Sequence, residues 1–281
     1  MPQAPISFEF FPPRDAEQRL ILRSTWQKLA RLEPRYLTVT FGAGGSTQEA
    51  TQRTVEELLR QANVPVAPHI SCMAPTRQLI DGLLDGYLAA GVHRLVVLRG
   101  DWPEDESFHP PFSYANELVA YIHERHPGAF SVEVGCYPEI HPESESMDSE
   151  IFYFRQKVAA GADAAITQYF FDPDAYFGFV ERCHAAGITV PITPGIMPIT
   201  NYRQLARFSA RCGARIPAPL AEKLESFGDD GAAIREYGLD VVTRLCEDLL
   251  SGGAPGLHFY TLNRANATLR IWQRLNNDGY V

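Results

Sequence analysis

An α/β chain closed into a (β/α)8 TIM barrel, with extra helices between strands seven and eight, is the fold this sequence predicts. Two observations carry the prediction. Eight short apolar, β-branched runs alternate with segments of helical period, the pattern of a parallel sheet covered by helices. Ala-Ala-Gly also ends three of the helical segments, at residues 89–91, 159–161 and 185–187, each just before a strand. Glycine there supplies the left-handed cap that turns a helix quickly into the next strand. An open doubly wound sheet is the competing architecture. The eighth run lies too near the C-terminus for a second domain, so residues 1–281 read as one barrel domain.

The strand-like runs occupy residues 6–11, 36–41, 66–72, 94–99, 130–137, 164–171, 189–196 and 257–262. The first helix spans 15–32, with Leu22, Trp26 and Leu29 on one face. The second opens on Ser46 and Glu49 in capping-box spacing and turns Val55, Leu58 and Leu59 inward. The third carries Leu79, Ile80, Leu83, Leu84 and Tyr87, and the fifth Met147, Ile151, Phe154 and Val158. Asp172-Pro173 starts the sixth as an N-cap followed by proline. The long connection after Met197 has room for helices at 202–212, 219–227 and 231–250. No Pro/Ser linker or low-complexity segment divides the chain.

Composition narrows the function. Hydrophobic residues make up 45% and charged residues 21%, as in an ordinary globular protein with a sizeable core. A formal net charge of -9 without a basic run argues against a nucleic-acid partner, which needs clustered Lys and Arg. No apolar stretch approaches the ~20 residues of a membrane span, and the N-terminus has no secretory pattern. The five cysteines are scattered, so reduced thiols and a cytoplasmic location are expected. No metal-ligand spacing and no GxSxG elbow occur.

In such a barrel, chemistry sits where strands end and βα loops begin. Glu9, inside Phe8-Glu9-Phe10-Phe11, is a carboxylate among aromatics and costly to ionise. That suits a general acid; the alternative is a structural pair with Arg14 or Arg99. Arg99-Gly100-Asp101 ends strand four. Gly100 permits a positive φ or close approach of a ligand, and Asp101 is either an acid, a metal ligand or a turn residue. His69 reads either as a hydrogen-bonded structural residue or as a catalyst. His141 lies in a proline-stiffened loop that suits an ordered binding surface. Residues 42–47 are glycine-rich but lack the spacing of a nucleotide fingerprint, and they read as a flexible turn. Gln168 is able to recognise the edge of a heterocycle or to be satisfied by backbone. Phe208 reads as core packing.

Taken in order, seven motifs resemble bacterial methylenetetrahydrofolate reductases. They are Ser7-Phe8-Glu9-Phe10-Phe11-Pro12-Pro13-Arg14, Thr38-Val39-Thr40-Phe41-Gly42-Ala43-Gly44-Gly45-Ser46-Thr47, Leu98-Arg99-Gly100-Asp101, Tyr137-Pro138-Glu139-Ile140-His141-Pro142, Gln168-Tyr169-Phe170-Phe171-Asp172, Pro194-Gly195-Ile196-Met197-Pro198 and Phe259-Tyr260-Thr261-Leu262-Asn263-Arg264. The resemblance runs from residue 6 to about 270. It implies FAD held at the barrel mouth without a Rossmann fold, and NADH (or NADPH) as co-substrate. It implies a two-stage reduction of methylenetetrahydrofolate to 5-methyltetrahydrofolate, and a homo-oligomer.

By the same resemblance Glu9 matches the general acid and Asp101 the aspartate beside the flavin. Flavin contacts match Thr40, His69, Arg99, Gly100, Tyr114, Ala115, Tyr137, His141 and Lys157. Glu150 stands where many relatives have Asp, and Tyr153 where some have Asn. Gln168, Phe208, Tyr260 and Arg264 match substrate-side positions. Two alternatives stay open: another barrel flavoenzyme of the proline dehydrogenase type, and a non-catalytic folate- or nucleotide-binding barrel.

Overall fold

A computed structural model describes residues 3–41, 45–102 and 108–281 of the chain. Residues 42–44 of the expected glycine-rich turn lie outside what is described, and the second helix begins at Gly45, one residue before the expected Ser46 cap.

The strands are β1 (Ile6–Phe10), β2 (Tyr36–Val39), β3 (Val66–Ser71), β4 (Arg94–Leu98), β5 (Ser131–Cys136), β6 (Ala164–Thr167), β7 (Ile192–Thr193), β8 (Gly195–Ile196) and β9 (Leu257–Tyr260). All pair in parallel, in the order β7-β6-β5-β4-β3-β2-β1-β9-β8. The expected seventh strand, 189–196, is therefore split. Pro194 has no N–H to give to a ladder, and the chain changes neighbours there. Ile192–Thr193 pairs with β6, while Gly195–Ile196 pairs with β9. Across that one residue the sheet becomes a nearly closed barrel. Strand six also stops early, at Thr167, and the expected extension 168–171 leaves the sheet.

Helices α1 (Ala16–Leu29), α2 (Gly45–Gln61), α3 (Arg77–Ala89), α4 (Ala115–Arg125), α5 (Met147–Ala159), α6 (Pro173–Ala185) and α10 (Ala265–Asn277) alternate with the strands. The long connection holds α7 (Tyr202–Cys212), α8 (Ala218–Ser226) and α9 (Gly231–Ser251), as the sequence predicts. Asp15 caps α1 by accepting from the Gln18 N–H at 2.8 Å, and Asp172 caps α6 by accepting from the Asp174 N–H. Gly91, Gly161 and Gly187 of the three Ala-Ala-Gly stops all have positive φ.

Alternation along each strand makes two cores. Phe8, Phe10, Leu37, Val39, Val97, Val132, Val134 and Phe259 point outward and are buried under the helices. Each large side chain buried there stabilises the fold by roughly 1.5–3 kcal/mol. The barrel interior is different. Its small apolar layer of Tyr36, Ala67, Val96 and Ile166 shares the lumen with Ser7, Glu9, Thr38, Arg94, Glu133, His69, His258 and Tyr260. Arg94 and Glu133 pair at its N-terminal end, and the Tyr36 hydroxyl donates to Glu133 at 2.8 Å. Polar groups inside a barrel that is otherwise a packed core mark the place to look for chemistry.

Candidate active site

Glu9 sits in the lumen near the end of β1, with its side chain about one fifth exposed. Its partners are two buried histidines, neither Arg14 nor Arg99. Glu9 Oε2 lies 3.5 Å from His69 Nε2 and 4.0 Å from His258 Nε2. Both Nε2 atoms are buried and make no hydrogen bond with any described residue. His69 Nε2 thus has the Glu9 carboxylate as its nearest polar neighbour among the described residues. Burial, opposed by the Glu9 charge and reinforced by His258, pushes the His69 imidazole down to about 4, so it is neutral at pH 7. His258 is oriented through its other nitrogen, 2.8 Å from Ser7 Oγ, and its ring stacks on Tyr36. Tyr260, one turn of the pleat further up β9, packs edge-on against His258 and donates its hydroxyl to the Thr167 carbonyl at 2.7 Å. Burial and the nearby Glu9 charge hold its phenol well above the usual tyrosine value.

A cleft of about 450 Å³ opens over the C-terminal ends of β4 and β5 and the first turns of α4 and α5. Arg99, Gly100, Asp101, Tyr114, Ala115, Tyr137, His141, Glu150, Tyr153 and Lys157 all line it. Thr40 and His69 do not: Thr40 is spent on the β1–β2 ladder end, its N–H donating to the Phe10 carbonyl, and His69 faces the lumen. Gly100 has φ +83°, and a Cβ there would stand 2.3 Å from Ser71 Oγ, so the turn accepts only glycine. Arg99 is clamped by Glu143 through two bonds of 2.5 and 2.7 Å. That contact holds Glu143 below the usual carboxylate range and raises Arg99. Glu150 is buried and accepts from the His141 N–H at 3.1 Å. Lys157 Nζ donates to the Gly135 carbonyl at 2.6 Å, and burial holds its ammonium below the usual value. Trp102, Tyr114 and Tyr153 leave large aromatic faces exposed around the opening. Asp101 is almost fully exposed and lies 3.6 Å from Arg211 of α7.

The remaining expected positions scatter more widely. Gln168 stands just past β6, where its Oε1 accepts from the Tyr169 N–H at 2.9 Å and its NH2 donates to no described residue. Phe208 is half-buried on α7 against the outer core, the packing role the sequence predicts. Arg264 is exposed at the start of α10 and lines a separate groove.

Comparison with known proteins decides the family. The family model described as Methylenetetrahydrofolate reductase matches residues 2–276. The chain is 35% identical to the 5,10-methylenetetrahydrofolate reductase of Escherichia coli strain K12, over 97% of this chain and 91% of that one. It belongs to the methylenetetrahydrofolate reductase family. The enzyme of the same name from Pectobacterium carotovorum is 34% identical over 96% of this chain and 89% of its own. Methylenetetrahydrofolate reductase (NADH) 1 of Arabidopsis thaliana is 34% identical over 97% of this chain, which spans 48% of that protein. Among solved structures, a Clostridium thermocellum protein that binds two copies of 5-methyl-5,6,7,8-tetrahydrofolic acid superposes with a TM-score of 0.70. That match covers 98% of this chain and 95% of the other at 17% identity, a likeness of fold.

Two features of this family member escape a reading by motif. His258 lies two residues before Tyr260, and strand parity alone turns both into the lumen; that signal was present in the sequence. Glu143, the clamp on Arg99, sits 44 residues away in a loop, and no spacing rule connects them. Among the described residues, no three His, Cys, Asp or Glu side chains converge as a metal site, and no helix is long and apolar enough to cross a membrane.

Proposed function

We propose that this chain is a flavin-dependent reductase that converts 5,10-methylenetetrahydrofolate to 5-methyltetrahydrofolate at the expense of NADH (or NADPH). One observation carries the cofactor half of the reading. Residues spread from 99 to 157 converge on one cleft whose chemistry suits FAD. Ala115 and Asn116 in the first turn of α4 present a helix N-terminus, and Lys157 adds a cation, a donor set that fits a diphosphate. Tyr114, Tyr137 and Tyr153 offer faces for flat rings. FAD bound there supplies the hydride transfer that links the two substrates.

The chain's own residues supply protons, charge and position. Glu9, on the lumen wall, donates a proton to the folate's bridging nitrogen and so opens its five-membered ring. His69, held neutral at pH 7 by burial, adds no positive charge beside Glu9, and His258 Nε2 faces the same carboxylate oxygen at 4.0 Å. Asp101 sets negative charge where cationic character develops in the opened ring. The Gln168 NH2, which donates to no described residue, is available to the pterin edge. NAD(P)H and the folate use the same opening in turn, the pattern of a two-stage reaction.

The test is spectroscopic. Purified protein is expected to be yellow, to bleach anaerobically with NADH, and to regain colour on adding methylenetetrahydrofolate. A preparation that binds no flavin from excess FAD overturns the reading. So does a flavin that NADH reduces but the folate never reoxidises.

A further inference from the structure

Beneath Glu9 a line of polar side chains runs down the lumen to the N-terminal end of the barrel, where a packed apolar core is the rule. His258 Nε2 lies 4.0 Å from Glu9 Oε2, and His258 Nδ1 lies 2.8 Å from Ser7 Oγ. Ser7 is the register neighbour of His258 on β9 and of Tyr36 on β2, and its hydroxyl interacts with the Tyr36 phenol. The Tyr36 hydroxyl donates to Glu133 Oε2 at 2.8 Å, and Glu133 Oε1 pairs with Arg94. Ser7, Tyr36, Glu133 and His258 are all buried, so their hydrogen-bonding needs are met by one another.

Such a line has a direction, and its far end fixes it. Glu133, ion-paired with Arg94, only accepts. Burial and the Glu133 charge hold the Tyr36 phenol well above the usual tyrosine value, so its one proton is present and is spent on Glu133. The Tyr36 oxygen is thereby left as an acceptor, with the Ser7 hydroxyl beside it. Once Ser7 gives its one proton to Tyr36, the Ser7 oxygen accepts from His258. The imidazole then carries its proton on Nδ1, and Nε2 faces Glu9 bare.

We propose that Arg94, Glu133, Tyr36 and Ser7 act through His258 as positioning residues that keep the transferable proton on Glu9. A bare Nε2 offers Glu9 an acceptor and no donor, and only the protonated carboxyl has a hydrogen to give it. The opposite tautomer would donate to the carboxylate and favour the form that protonates nothing. Of the other groups bordering Glu9, His69 is neutral at pH 7, and Tyr260 has its hydroxyl spent on the Thr167 carbonyl. Thr38, the register neighbour of Glu9 on β2, is uncharged. The role given to Glu9 rests on the reductase reading above; the direction of the line does not.

Nitrogen NMR of the FAD-loaded protein labelled with 15N-histidine reads the tautomer, with His258→Asn assigning the signal. The parent is expected to show Nδ1–H. Tyr36→Phe keeps the ring stacked on His258 and frees the Ser7 proton, so the signal is expected to switch to Nε2–H. Glu133→Gln, able to donate where Glu133 only accepts, is expected to reverse the line in the same way and stands in should Tyr36→Phe unfold. An Nε2–H tautomer or an imidazolium in the parent at pH 7, or a tautomer unmoved by either substitution, overturns the proposal. Rapid mixing reads the consequence. In Tyr36→Phe, NADH is expected to bleach the flavin at the parent's rate, since that step takes no proton from Glu9. Reoxidation by methylenetetrahydrofolate is expected to slow about tenfold near pH 8 and to recover near pH 6. A structural loss would not recover in acid, so an equal loss at both pH values, or none at either, removes the link to Glu9. A parent with the Nδ1–H tautomer but no flavin turnover keeps the direction of the line and loses the reductase reading.

Discussion

Glu9 shows how one side chain's neighbours decide its use. Two buried imidazoles face it, with Nε2 atoms that find no other partner among the described residues. Replacing Glu9 by Gln keeps the volume and removes the proton. The variant is expected to let NADH bleach the bound flavin while methyltetrahydrofolate formation falls by about 100-fold or more. Single-turnover measurement of each half-reaction checks this, and wild-type folate turnover would remove Glu9 as the acid. His69 carries a consequence for pH. Its folded value of about 4 lies below the ordinary 6.5, so below pH 6.5 the unfolded chain takes up a proton the folded chain refuses. Stability therefore falls as pH drops from 6.5 towards 4, by roughly 3 kcal/mol at the end of the window. The urea midpoint of His69→Asn is expected to decline less steeply across that window than the parent's; parallel slopes would refute it. Glu9 was legible in the sequence because a lone carboxylate among aromatics is conspicuous. The histidine pair was not, since which side chains meet across a lumen depends on register between strands that are distant in the chain.

At the scale of elements, the seam at Pro194 decides whether the barrel closes. Gly195 follows it, and a Cβ there would stand 2.3 Å from the Thr167 carbonyl oxygen and 2.8 Å from the Tyr260 hydroxyl. Backbone on one side and a hydrogen-bonded phenol on the other leave little room to yield. Gly195→Ala is expected to destabilise by about 1–3 kcal/mol and to disturb Tyr260 as well. Gly178, inside α6, meets nothing within 4 Å of an added Cβ. Gly178→Ala is therefore expected to stabilise by about 0.5–1 kcal/mol. Thermal melts of the two variants check the pair, and shifts of the same sign would contradict the packing argument. Most strands and helices were readable from periodicity, because a parallel sheet under helices leaves apolar runs with clear stops. The split strand was not: proline in a run reads as an edge, and here it marks the residue where one strand passes from one neighbour to the other.

For the whole molecule, the cleft is built from two successive βα units, with walls from β4, β5, α4 and α5. A ligand bridging those units stabilises the folded chain and leaves the unfolded one untouched. At a hundredfold excess over its dissociation constant, FAD is expected to add about 2.7 kcal/mol, raising the melting temperature by about 5 °C in a domain of this size. The same argument ranks ligands. Riboflavin lacks the diphosphate and adenosine that the α4 N-terminus and Lys157 suit, so it should raise the transition far less. Lys157→Met should bring the FAD shift close to the riboflavin one, since it removes the cation but keeps most of the side chain's bulk. Scanning calorimetry of flavin-free protein with each ligand in turn measures all three. A riboflavin shift equal to that of FAD would mean that the cleft does not hold the diphosphate, and the lysine and helix end would then need another role.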